Sequence, residues 1–97
     1  MNPAIVISAE DNVATALEAL EAGQTIHAGA ATVQVAETIP RGHKVALLAI
    51  RSGAVIVKYG SPIGPASSDI AAGAHVHTHN VSSDLGRGDL APAEKAR

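Results

Sequence analysis

Three of the five histidines in this 97-residue chain fall in one run, Gly73-Ala74-His75-Val76-His77-Thr78-His79-Asn80-Val81, at strict alternation. In an extended segment, period-two geometry puts His75, His77 and His79 on one face and Ala74, Val76 and Thr78 on the other. Same-face neighbours then stand about 6.5–7 Å apart, so two imidazoles can converge on one ion or one anionic ligand. A helix would scatter the three, because positions two apart do not face each other. Val76, Val81 and the opening Gly73 favour the strand. Asn80 adds an amide beside this ridge as a further ligand or hydrogen-bonding group. A single His-x-His is more often a surface feature than a site. Three in alternation, far from either terminus, predict a metal or anionic-ligand role for at least one of them.

The second group with chemistry in it is Lys58-Tyr59-Gly60-Ser61-Pro62-Ile63-Gly64. Glycines on both sides of a proline set an unusual backbone path and let a ligand approach closely. Lys58 offers a cation for a carboxylate, and Ser61 and nearby backbone N–H groups offer neutral donors. The plain alternative is a turn with a solvated lysine, with Tyr59 as a core filler. Asp11 and Asn12 read as helix caps or site residues, His43 alone as a surface histidine, and His27 carries no spacing signal. No Ser-His-Asp spacing, phosphate-binding loop or dinucleotide fingerprint is present; Gly86-x-Gly88 lacks the third glycine and the strand-to-helix context. Few carboxylates are available to pair as acid and base, so the chain reads as part of an active site rather than all of one.

The elements that must carry these groups follow from pattern. Ala4–Ile7 reads as a first strand. Val13, Ala16, Leu17 and Leu20, at i, i+3, i+4 and i+7, predict one amphipathic helix, capped by Asp11 or Asn12 and stopped at Gly23. From Gln24 onward the pattern is strand. Thr32-Val33-Gln34-Val35 alternates, Ile39-Pro40-Arg41-Gly42 is a turn, and Lys44–Ile50 is an apolar strand. Arg51-Ser52-Gly53 joins that strand to Val55–Tyr59 as a hairpin. Residues 60–65 are too rich in Gly and Pro to continue a ladder, and Ser68–Ile70 returns toward the sheet. Internal repeats are not evident. The sum is a mostly β, compact barrel or clip with one short α-helix near the N-terminus. After Leu85 the composition shifts, giving a domain over 1–85 and a flexible tail over 86–97.

Composition bounds the function classes. The hydrophobic share is 46%, drawn from Ala, Val, Ile and Leu; Tyr59 is the only aromatic, with no Phe, Trp or Cys. Such a core buries little area per side chain, and part of the stability is expected from association with another chain. A net charge of −2 without a basic cluster argues against nucleic acid. No apolar run approaches the ~20 residues of a membrane span, and the N-terminus lacks a basic signal region, so the expected address is the cytoplasm.

Four blocks occur in order: Asp11-Asn12-Val13-Ala14, Gly42-His43-Lys44-Val45-Ala46-Leu47, Lys58-Tyr59-Gly60-x-Pro62-Ile63-Gly64 and Gly73-x-His75-Val76-His77-Thr78-His79-Asn80. Across residues 5–85 they resemble the N-terminal module of the altronate and galactarate dehydratase family, a domain of the SAF (antifreeze-like, β-clip) type. The resemblance implies a small SAF-like β-clip barrel, either fused to a large catalytic domain or free-standing. With the chain stopping at Arg97, a free-standing small subunit is expected. Relatives of this kind eliminate a leaving group β to a carboxylate, water in the sugar-acid enzymes and sulfite in a sulfolactate sulfo-lyase.

The implied function is metal-assisted β-elimination of water from an altronate- or galactarate-type sugar acid. The implied cofactor is a divalent metal ion, iron or similar, shared with a large catalytic subunit that carries the main base. The implied residues are His77 and His79 as catalytic groups and His75, His77 and His79 as metal ligands. Lys58, Tyr59, Ser61, Asn80, Asp11, Asn12 and His43 are placed around the substrate. Ala74 stands where an acidic residue often precedes the first motif histidine. The competing readings are a non-catalytic sugar-acid-binding or assembly module, the small subunit of a sulfolactate sulfo-lyase-type enzyme and, least favoured by an imidazole ridge, ice or glycan binding. Alone, the chain is expected to form a homo-oligomer.

Overall fold

The computed structural model describes residues 3–82, and its regular structure is eight short strands. They are β1 (Ala4–Ile5), β2 (Val13–Ala16), β3 (Thr25–Ala28), β4 (Ala31–Gln34), β5 (Lys44–Ala46), β6 (Val55–Lys58), β7 (Ser61–Pro65) and β8 (His75–Val76). A four-stranded antiparallel sheet in the order β1-β2-β5-β8 forms the middle of the molecule. Apart from Thr15, Lys44 and His75 its residues are aliphatic on both faces, so each face can be covered. Ala4, Ala14, Ala16 and Val45 face a core completed by Leu20, Ile26, Val35 and Ile39. Val13, Ala46 and Val76 face a second core with Ile50, Ile56 and Ile70. The hairpin β3–β4 contributes to the first core and β6–β7 to the second.

The expected N-terminal helix is not formed; among the described residues there is none. Val13, Ala16 and Leu20 are buried as the helical stripe required, but Leu17 on that stripe is 49% exposed. The segment gains more as a strand, with β1 hydrogen-bonded on one side and β5 on the other. Asp11 and Asn12, free of a helix to cap, turn instead to the β6–β7 hairpin. Gly60 N–H donates to Asp11 Oδ1 at 2.7 Å, Val57 N–H to Asn12 Oδ1 at 2.8 Å, and Asn12 Nδ2 to the Val55 carbonyl at 2.9 Å.

Two further corrections concern pairing. The apolar strand expected over 44–50 ends at Ala46, and β6 pairs with β7 rather than with it. The Gly/Pro-rich run expected to break the ladder is β7. Pro62 and Pro65 are tolerated because β7 has a partner on one side only, and the register shifts at Ile56/Val57. The connecting turn is Tyr59-Gly60, at φ 56° and 77°, the signs a two-residue primed hairpin turn demands.

A repeat missed in the sequence is plain in the fold. Leu20-Glu21-Ala22-Gly23, Ile39-Pro40-Arg41-Gly42, Ile50-Arg51-Ser52-Gly53 and Ile70-Ala71-Ala72-Gly73 are the same turn four times, each ending in a glycine at φ 84–90°. Leu20 bridges Ile39, and Ile50 bridges Ile70. Gly23 N–H donates to the Val35 carbonyl as Gly53 does to Ala66, and Gly42 to Ala16 as Gly73 does to Ala46, all at 2.7–2.8 Å. The chain is therefore one unit used twice, β2–hairpin–β5 and β5–hairpin–β8, with β5 common to both. The repeat escapes the sequence because each turn shares only one aliphatic residue and one glycine, at uneven spacing. No helix of the described residues could cross a membrane. The tail expected over 86–97 lies outside the described residues.

Candidate functional site: an imidazole cluster at the sheet edge

β8 is the edge strand, and its pairing places the histidines. Val45 stands opposite His75, so His43, two residues before Val45, shares the face of His75. The extended run stops at Val76; from His77 to Asn80 the chain turns, and strict strand alternation does not continue to His79. Asn80 holds this turn. It is 7% exposed; its Oδ1 accepts from His77 N–H at 2.9 Å and its Nδ2 donates to the His75 carbonyl at 2.9 Å. Glu37 Oε2 accepts from His75 N–H at 3.0 Å. Gly73 opens the strand where a Cβ would collide with the Gln34 carbonyl, so glycine is required there.

Three imidazoles meet as a result. His43 Nδ1 lies 2.8 Å from His75 Nε2, a hydrogen bond in which one ring donates and the other accepts. The His43 and His77 rings stack at 3.7 Å between centroids and 9° between planes. A ring nitrogen from each of His43, His75 and His77 lies within 4.8 Å of the others. His79 is a neighbour of the cluster, tilted by 44° at 5.0 Å from the His75 ring. His77 Nδ1 is buried and has no hydrogen-bond partner.

Burial lowers the pKa of His75, with the charges of His79, His43 and His77 adding to it and Glu37 opposing. Burial also lowers that of His77, followed by the charges of His43, Lys44 and His79. Both rings are therefore held neutral near pH 7, the form that binds metal or accepts a hydrogen bond.

The remaining expected residues separate into two groups. Lys58 and Tyr59 sit at the β6–β7 turn, with Lys58 Nζ 5.0 Å from the Tyr59 ring centroid. Tyr59 Oη donates to Thr15 Oγ1 at 3.1 Å, and Thr15 stands opposite Lys44 in the β2–β5 register. Ser61 is exposed, paired with Lys58 across the hairpin. Asp11 and Asn12 spend their side chains on backbone groups: Ile7, Ser8 and Gly60 N–H donate to the Asp11 carboxylate. Burial would raise the Asp11 pKa, but backbone hydrogen bonds from Gly60, Ser8, Tyr59 and Ile7 outweigh it, and the pKa is lowered. His27 Nδ1 lies 3.1 Å from Thr32 Oγ1 across the β3–β4 hairpin. Sequence reasoning missed that His43 joins the histidine run through β5–β8 pairing.

Three imidazoles, one with a buried, unpartnered nitrogen, are a donor set that suits a divalent ion. Their near-parallel planes mean that at least one ring must turn before all three nitrogens meet on one centre.

The structure is thus a small β module with a half-buried imidazole cluster at a sheet edge. The altronate/galactarate dehydratase SAF-domain family matches residues 2–84, and the chain belongs to that family. It is 45% identical to an altronate dehydratase of Bacillus subtilis over 88% of this chain and 17% of that protein. It is 49% identical to an altronate dehydratase of Escherichia coli over 84% of this chain and 16% of that protein. A (2R)-sulfolactate sulfo-lyase subunit alpha of Chromohalobacter salexigens is 36% identical over 79% of this chain and 89% of its own length. The chain thus spans about a sixth of the dehydratases, and most of the sulfo-lyase subunit.

Proposed function

We propose that this chain is the small, substrate-facing module of a hydro-lyase that removes water β to the carboxylate of a sugar acid, together with a large catalytic partner. The observation that carries the reading is the convergence of His43, His75 and His77, from two of the four motif blocks, into one half-buried cluster. The similarity to altronate dehydratases supports the substrate class. A polar cluster left open at the edge of a small domain suits a site whose other wall comes from elsewhere.

Elimination from a 2,3-dihydroxy acid needs a base for the Cα proton, a sink for charge on the carboxylate and help for the departing hydroxyl. In this reading the main base belongs to the partner. His77, held neutral by burial, accepts a hydrogen bond from a substrate hydroxyl through a ring nitrogen. His43 and His75 share a proton across their 2.8 Å contact and hold the third ring in place by stacking. His43, His75 and His77 are also the residues that would hold a divalent ion such as iron, with His79 beside them. Such an ion supplies Lewis-acid polarisation of the carboxylate and hydroxyl oxygens. Lys58 and Ser61 receive the acid.

The decisive experiment purifies the chain with its partner and assays elimination with wild-type and His77→Ala modules. Turnover falling at least ~100-fold in an intact complex supports a place in the site; undiminished turnover makes this an assembly module instead. Anaerobic titration of the chain with Co(II) checks the metal separately. An absorption band lost in His43→Ala and kept in His79→Ala is expected. A second reading, a sulfolactate sulfo-lyase-type subunit, is favoured by coverage of 89% of such a subunit. Release of sulfite rather than water from the purified complex would select it.

A further inference from the structure

We infer that the His43–His75 hydrogen bond is a latch that an incoming metal ion must open, so the hydrogen-bonded pair and the three-histidine metal site are alternative states of the same side chains. For the identity of the ion this rests on the function proposed above; for the latch it rests on geometry alone. His43 Nδ1 and His75 Nε2 lie 2.8 Å apart with a hydrogen between them. Two imidazole nitrogens bound at about 2.0–2.1 Å to one tetrahedral ion stand about 3.3 Å apart, each lone pair aimed at the ion and not at the other ring. The protons conflict as well as the distance. In the hydrogen bond one of the two facing nitrogens carries the hydrogen and offers no lone pair, whereas a ligating nitrogen must be bare. In a neutral ring that hydrogen moves to the other nitrogen, so opening the latch takes a ring movement and a change of tautomer together.

The backbone does not supply the extra separation. His75 stands opposite Val45 in the β5–β8 register, its N–H donates to Glu37 Oε2 at 3.0 Å and its carbonyl accepts from Asn80 Nδ2 at 2.9 Å. The His43 carbonyl accepts from Ala16 N–H at 2.8 Å, and the His43 N–H donates to the Pro40 carbonyl at 3.0 Å. Both main chains are anchored, so the latch opens by side-chain torsion while β5 and β8 stay paired. His77 resists less. Its Nδ1 is buried without a partner, and its ring is held by stacking on His43 at 3.7 Å between centroids, so turning it breaks no hydrogen bond at that nitrogen. The resistance to loading therefore lies in the latched pair. An ion with high affinity for imidazole offsets the lost hydrogen bond, whereas a hard ion such as Mg(II), which prefers oxygen and keeps its water, leaves the latch shut.

The test is NMR of the full chain with ¹⁵N-labelled histidine rings at neutral pH, first stripped of metal and then titrated with Zn(II), a diamagnetic probe of the site. In the metal-free chain a scalar coupling across the hydrogen bond between His43 Nδ1 and His75 Nε2 is expected. One equivalent of Zn(II) should abolish that coupling and move one nitrogen each of His43, His75 and His77 to the shift of a metal-bound imidazole. The His75 amide should stay slow to exchange throughout, since Glu37 keeps it. Mg(II) should change none of these signals. A metal-free chain without the coupling would overturn the latch, and so would a coupling that survives with Zn(II) bound, which would put the ion on the outward nitrogens. No response of any ring to Zn(II) would overturn the pair of alternative states. Loss of turnover in His77→Ala beside a metal-free chain without the coupling would remove the latch and leave the lyase reading standing. Undiminished turnover in His77→Ala beside a coupling that Zn(II) abolishes would keep the latch and remove the lyase.

Discussion

In the structure His43 joins His75 and His77, and His79 stands beside them. The ridge of alternating histidines was legible because period two is local information, carried by consecutive residues. What it could not contain was the ring that completes the cluster. His43 lies 32 residues from His75 and reaches it only because β5 and β8 pair in the register Val45↔His75. On the proposed lyase reading, His43→Ala is therefore expected to lower turnover with the large partner by ~100-fold or more, and His79→Ala by less; a steady-state assay of both variants checks the order. Asp11 is a second case of type without context. It was legible as a polar residue with work to do, but its acceptors serve the backbone of two loops. Asp11→Asn should cost about 1–3 kcal/mol at pH 7, because an amide nitrogen faces N–H groups where an oxygen stood. Since the folded carboxylate has a lowered pKa, its stabilisation is complete above the unfolded value of 3.8 and is lost as pH falls through the folded one. Thermal melts should therefore show the wild-type advantage over Asp11→Asn constant from pH 7 to about 5 and shrinking below about 4.

At the scale of elements, short strands defeat periodicity. Val13, Ala16 and Leu20 satisfy a helical stripe, yet they equally satisfy a four-residue strand followed by a turn, and β2 takes that course because β1 and β5 are there to pair with it. The prolines of β7 misled for the converse reason: a strand with only one neighbour does not need every N–H. Where a residue's constraint is purely local the sequence spoke clearly, as with the glycines that end each turn. Gly73 combines that constraint with a steric one, since its φ is 84° and a Cβ would meet the Gln34 carbonyl. Gly73→Ala should lose more than about 1–2 kcal/mol, the cost of the left-handed conformation alone. It should also displace His75 and His77. Chemical denaturation reads the first effect and the His75 and His77 ring shifts read the second; a variant with wild-type midpoint would show the glycine to be dispensable.

Across the described residues, one unit used twice yields one imidazole cluster. By the turn equivalence, β5 does in the first unit what β8 does in the second. But β5 is flanked on both sides, whereas β8 has β5 on one side only. The histidines can be reached because the repeat stops there. An outer strand is also an invitation to further pairing, and here Glu37 and Asn80 occupy the His75 N–H and carbonyl that point away from β5. Their loss should therefore do more than loosen the cluster. In a Glu37→Ala, Asn80→Ala double variant, light scattering across concentration should reveal species larger than those of the wild type; identical profiles would show that the edge needs no guard. Should the larger species form, the two caps bind activity and solubility together. Selection acting on either would then preserve the other, and variation that retunes the chemistry at His75 would be confined to substitutions that leave the strand unable to recruit a neighbour.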